Sequence, residues 1–107
     1  MGEDILAQLA VTIKARRSES SAKSYTRQLL DAGPEKCAKK FAEEAAEAVI
    51  AAVSQDEAAL ASEAADTLYH LLVLLECRGV ALSDVYDVLK KRMGTSGIDE
   101  KASRGHS

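Results

Sequence analysis

The chain has no tryptophan, one phenylalanine (Phe41) and one proline (Pro34), and aromatic residues make up only 4 % of its 107 residues. Strands favour β-branched and aromatic side chains, so a sheet protein is disfavoured. Alanine and leucine dominate the apolar set instead, and both favour closely packed helices. There are only two cysteines, Cys37 and Cys77, far apart and outside any CxxC spacing. Two scattered thiols point to a reduced, cytoplasmic protein, with a single disulfide as the alternative. No basic, apolar leader opens the chain, and none is expected. The most apolar run, residues 68–75, is interrupted by Tyr69 and His70, well short of the roughly 20 residues that span a bilayer. A net charge of -3 makes no overall electrostatic case for nucleic acid.

What is present has helical period. One all-α domain over residues 1–107 is expected, an antiparallel bundle of about four long helices with one short one. Residues 3–17 place Ile5, Leu6, Leu9 and Ile13 on a stripe. The polar run SESSAKS reads as a mobile linker. Residues 25–32 suit a short helix stopped by Gly33, and Pro34 suits the first turn of the next, over 34–53. Its apolar stripe is Cys37, Phe41, Ala45, Ala48, Val49 and Ala52, with Glu44, Glu47 and Ala51 beside it. Ser54 and Glu57 have the spacing of a capping box, with Asp56 as a competing cap. A third long helix runs to about Arg78, ended by Gly79. Leu60, Ala64, Leu68, Leu71, Leu72 and Leu75 form its broad apolar face, a breadth that implies a central helix or a subunit interface. Ser83 is a plausible cap for the last helix, with Leu82 as a staple. Val85, Val88, Leu89 and Met93 make its apolar face, and Gly94 ends it.

The chemistry gathers in residues 43–70. Glu44 and Glu47 are spaced i,i+3, and so are Glu63 and Asp66. Each pair shares a helix face, where like charges repel. One such pair is usually a solvated face. Two pairs on helices joined by a short turn suggest a hard divalent cation held by oxygen ligands, such as Mg²⁺. Asp66 and His70, spaced i,i+4, read as a local hydrogen-bonded pair. Lys36, Lys39 and Lys40, then Lys90, Lys91 and Arg92, and finally Lys101 and Arg104 are the basic groups able to meet a phosphate.

Four stretches carry a resemblance: SYTRQLLDAG at 24–33, KCAKKFAEEAAEAVIAA at 36–52, EAADTLYHLLVLLECRGV at 63–80 and SGIDEKASR at 96–104. In this order they resemble the phosphoribosyl-ATP pyrophosphatase family. The ExxE and ExxD pairs alone mark the wider MazG-like all-α nucleotide pyrophosphohydrolases. Ala42 stands where the family often has glycine. With no cyclohydrolase segment alongside, the resemblance is to the stand-alone form. It implies hydrolysis of phosphoribosyl-ATP to phosphoribosyl-AMP and pyrophosphate, the second step of histidine biosynthesis, with cleavage between the α and β phosphates. It implies Mg²⁺ held by Glu44, Glu47, Glu63 and Asp66, and a water-orienting base at Glu43 or Glu47. Lys40, Lys101 and Arg104 would contact phosphate. Ser24, Tyr25 and Thr26 would close over the substrate, with SESSAKS as a lid hinge. A homodimer with sites near the interface is implied, and neither nucleic acid nor membrane as partner. The alternatives are a MazG-like (d)NTP pyrophosphohydrolase and a non-catalytic helical dimerisation module.

Overall fold

The computed structural model describes residues 4–94. Within them the chain forms α1 (Ile5–Ala15), a 3₁₀ turn (Arg16–Ser18), α2 (Tyr25–Ala32), α3 (Pro34–Ser54), α4 (Glu57–Cys77) and α5 (Leu82–Met93). No strand occurs among the described residues. The expected all-α class is therefore observed. The frame is an α3–α4 hairpin of two 21-residue helices, each about 31 Å long at 1.5 Å per residue. α1 packs on α4, and α2 packs against both α3 and α4.

The chain's punctuation explains the breaks. Gly33 has φ 96°, a left-handed value that stops α2, and Pro34 then opens α3 where its missing N–H costs nothing. Gly79, at φ 72°, closes α4 in a Schellman motif: its N–H donates to the Glu76 carbonyl, and that of Val80 donates to Leu75. Two expected caps are corrected. Asp56 caps α4, accepting from the Ala59 N–H at 2.8 Å. Ser54 is the last residue of α3, and its hydroxyl turns back to the Ile50 carbonyl at 2.7 Å. At α5 the cap is Ala81, without a side-chain bond, and Leu82 and Ser83 already lie inside the helix. The α1 boundary also moves inward, where Asp4 accepts from the N–H groups of Leu6 and Ala7.

The expected linker is strapped down. Arg27 donates to the carbonyls of Arg17 and Glu19 at 2.9 and 2.6 Å, and Gln28 donates to Ser21 at 2.6 Å. Arg16 pairs with Glu19 at 2.6 Å. These bonds satisfy backbone groups that a loose loop would leave to water.

The core is small: Ile13, Leu29, Leu30, Cys37, Leu72 and Val73, with Leu6, Leu9, Tyr69, Leu74, Leu75, Cys77 and Leu82 packed around it. Both thiols are free, Cys37 buried and Cys77 half-buried beside it. Burial, then the Cys77 thiol, pushes Cys37 up to about 11, so it stays protonated at neutral pH.

The inward seam of α3 is rotated toward Glu44 and Ala51. It keeps Cys37, Phe41, Ala45 and Ala48 of the expected stripe and adds Glu44 and Ala51 to them. Ala51 is fully buried, while Val49 and Ala52 face out. In the first three turns of α4 the least exposed residues are Ala59, Glu63 and Thr67; Leu60, Ala64 and Leu68 are exposed. Ile5 on α1 is exposed too, and α5 buries no residue, leaving Val88, Leu89 and Met93 open. α4 as a whole, unlike the run 68–75 judged alone, is long and apolar enough by length and composition to cross a membrane. Only 17 % of its most apolar window is buried: Leu72 and Val73 enter the core, while Leu60 and Leu68 in its N-terminal half stay exposed.

The reassigned cap gives a direct test. Asp56→Ala is expected to lower unfolding stability by about 1 kcal/mol in urea titration. Ser54→Ala should cost clearly less, and the reverse order would restore the capping box.

Candidate metal centre

Three carboxylates converge where α3 and α4 face each other. Glu44, Glu63 and Asp66 each present an oxygen within 4.8 Å of the other two. The i,i+3 spacing on α4 places Glu63 and Asp66 together, and the seam brings Glu44 across from them. Oε1 of Glu63 is shut off from solvent and has no hydrogen-bond partner. Desolvation, followed by repulsion from Glu47, Asp66 and Glu44, pushes the Glu63 carboxyl above its ordinary range. Glu47 therefore acts on the cluster, although it is exposed and not among the three converging groups. An orphaned acceptor, an all-oxygen donor set and excess negative charge suit a hard divalent cation. The cluster can bind a metal.

A cationic and aromatic flank adjoins it. Lys40 pairs with Glu43 at 3.4 Å. The neighbouring Tyr25 phenol, then the Glu43 hydrogen bond, hold its ammonium above the ordinary lysine range. Lys40, Lys36, Tyr25, Gln28, Leu29 and Ala32 line an open hollow of about 280 Å³. Of the segment 24–26, Tyr25 is half-exposed toward this hollow, while Ser24 and Thr26 are buried. Ser24 caps α2, accepting from the Arg27 N–H at 3.1 Å, and Thr26 shares a hydrogen bond with the Tyr69 hydroxyl.

His70 corrects a further expectation. No Asp66–His70 hydrogen bond forms among the described residues. The buried imidazole instead meets Tyr69 and Tyr25 edge-on, with ring centroids 4.9 and 6.3 Å away. Burial lowers its pKa, so the ring is neutral at pH 7. Lys101 and Arg104 lie outside the described residues. Lys36, expected as a basic group able to meet a phosphate, lines the hollow with Tyr25, whereas sequence reasoning missed Gln28 and Thr67. The available signal for Thr67 was its place one residue after Asp66 and four after Glu63.

The Glu63 carboxyl sets a pH dependence. A carboxyl whose pKa is raised on folding contributes nothing unfavourable below its ordinary value of 4.5. The penalty appears as pH rises through the raised value. Glu63→Gln is therefore expected to raise the melting temperature of the metal-free protein at neutral pH. That gain should vanish below about pH 4, where the wild-type carboxyl is protonated as well.

Comparison with known proteins covers the stretch that contains these residues. A family model described as phosphoribosyl-ATP pyrophosphohydrolase covers residues 6–93. A phosphoribosyl-ATP pyrophosphatase of Cereibacter sphaeroides (strain ATCC 17029 / ATH 2.4.9) is 58 % identical over 101 residues, covering 94 % of this chain and 98 % of the relative. That of Jannaschia sp. (strain CCS1) is 59 % identical over 99 residues, 92 % of this chain and 97 % of its own. That of Paracoccus denitrificans (strain Pd 1222) is 61 % identical over 99 residues and 92 % of each chain. With the family model matched over residues 6–93 and these relatives matched over nearly the whole length, the chain belongs to the phosphoribosyl-ATP pyrophosphohydrolase family.

Proposed function

We propose that this chain hydrolyses phosphoribosyl-ATP to phosphoribosyl-AMP and pyrophosphate, the histidine-biosynthetic reaction for which its relatives are named. The observation that carries this reading is the convergence of Glu44, Glu63 and Asp66 beside Lys40 and Tyr25, in a chain that matches the family over residues 6–93. Glu44, Glu47, Glu63 and Asp66 would hold Mg²⁺, which when bound supplies positive charge to a triphosphate and to the pyrophosphate leaving from it. Without that charge these carboxylates would repel a polyphosphate.

The remaining work falls to the chain's own groups. Lys40 reaches a phosphate by exchanging partners, releasing Glu43 as it does so. Glu43, freed from its ion pair, or Glu47 accepts the proton of the attacking water. Tyr25 covers the substrate side, with Ser24 and Thr26 fixing the turn that presents it. Lys101 and Arg104 add phosphate contacts from the C-terminal stretch. The exposed apolar faces of α4 and α5 meet a second copy of the chain rather than lipid or nucleic acid. A hydrocarbon setting would strand Glu63 and Asp66. Two free thiols suit a reducing cytoplasm, and residues 1–107 act as one domain.

Purified protein with Mg²⁺ should release pyrophosphate from phosphoribosyl-ATP. Glu44→Gln and Asp66→Asn should each lose about a hundredfold or more of that rate without loss of melting temperature. Undiminished release by both variants would remove the carboxylates from the mechanism. Vigorous hydrolysis of ordinary dNTPs with no release from phosphoribosyl-ATP would reassign the substrate. Removing residues 96–107 should raise the KM for phosphoribosyl-ATP while leaving the melting temperature within a degree or so; the opposite pattern would make that stretch structural.

A further inference from the structure

We propose that Thr67 is a positioning residue for the cation, tying the two ligand-bearing turns of the hairpin to one another. The inference rests on the metal reading above and concerns a residue outside the carboxylate motif. The Thr67 hydroxyl lies 2.8 Å from the carbonyl of Glu63, one turn back on its own helix. It also lies 3.1 Å from the carbonyl of Glu44, across the seam on α3. One hydroxyl proton is thus shared between the backbones of two of the three converging acids. Asp66, the third, is the preceding residue. Among the described residues, no other side-chain oxygen or nitrogen hydrogen-bonds across α3 and α4.

The need for a tie follows from what surrounds it. At this level the half-buried residues are Glu44, Ala45 and Ala48 on α3 and Glu63 and Thr67 on α4. Alanines offer little interdigitating bulk, and the carboxylates push the helices apart. A cation needs those oxygens at a set spacing, and a site held there in advance spends less of its binding energy on ordering. Thr67 supplies that restraint through backbone, which leaves every carboxylate oxygen free for the ion. Valine has the same shape and β-branching but no hydroxyl. The Glu44 and Glu63 carbonyls keep their helical N–H partners in either case, so Thr67→Val removes the tie without stranding a buried acceptor.

The test is Mg²⁺ titration of the full chain by calorimetry, alongside melting temperatures without metal. Thr67→Val should weaken Mg²⁺ binding about fivefold, the worth of one hydrogen bond. Thr67→Ser, which keeps the hydroxyl, should stay within about twofold of wild type. Should the valine variant not fold cooperatively, Thr67→Ala carries the same expectation. Wild-type affinity in the hydroxyl-free variant overturns the proposal, as does an equal loss in the serine variant. A lower metal-free melting temperature with unchanged affinity also overturns it, since Thr67 would then be structural only. Failure of the wild-type chain to bind Mg²⁺ would overturn the metal reading and this inference with it.

Discussion

Like charge held in a helix seam is the constraint on which this structure depends. The interface between α3 and α4 would normally be the most apolar surface in a hairpin. Here its middle carries Glu44, Glu63 and Thr67, with His70 one turn further on. Such a seam is tolerable only if closed at both ends. Ala51 is fully buried near the hairpin turn, and Cys37, Leu72 and Val73 seal the other end with Leu29 and Leu30 from α2. Apolar packing on either side holds repelling carboxylates together between them.

The same arrangement explains which features were legible in the sequence. Helix number, the Gly33-Pro34 break and the Gly79 stop were all readable, because backbone chemistry at those residues allows few alternatives. Glu47 lies outside the convergence, whereas the closeness of Glu44, Glu63 and Asp66 was readable from the i,i+3 spacing on neighbouring helices. The rotation of α3 was not. A stripe drawn through the apolar residues of α3 runs through Val49 and Ala52 and leaves Glu44 and Ala51 beside it. The real seam passes through Glu44 and Ala51 instead. The rule that apolar residues mark the buried face fails where a seam is built to hold charge. Thr67 was overlooked for the same reason, as a polar residue on what looked like an apolar helix. The Asp66–His70 pairing failed differently: spacing permits the bond, but His70 turns toward Tyr69 and Tyr25.

Spending the seam on charge leaves apolar surface unspent. Leu60 and Leu68 on α4 are exposed, as are Val49, Ile50 and Val53 on α3 and Val88, Leu89 and Met93 on α5. The breadth of the α4 apolar face implied a central or interfacial helix; α1, α2 and α3 do pack on α4, yet Leu60 and Leu68 stay uncovered by the single chain. Under the proposed association of two copies, that surface would add the stability the polar seam forgoes. A 107-residue chain with a core this small gains much from such burial.

The cationic flank completes the electrostatic argument. With a net charge of -3, the chain has no general attraction for a polyanion. Its attraction must be local, yet Lys40 is already paired with Glu43. An arriving phosphate therefore competes with a carboxylate for the same ammonium. A surface pair of this kind contributes little to stability, so exchanging it costs little. The exchange would uncover Glu43 only when a phosphate is in place beside the acidic cluster. Charge that looks redundant in the free chain, three acids in sequence with Lys40 against the first, then has a division of labour. On the proposed reading Glu44 and Glu47 would both serve the cation, and Glu43 would keep the lysine until substrate claims it.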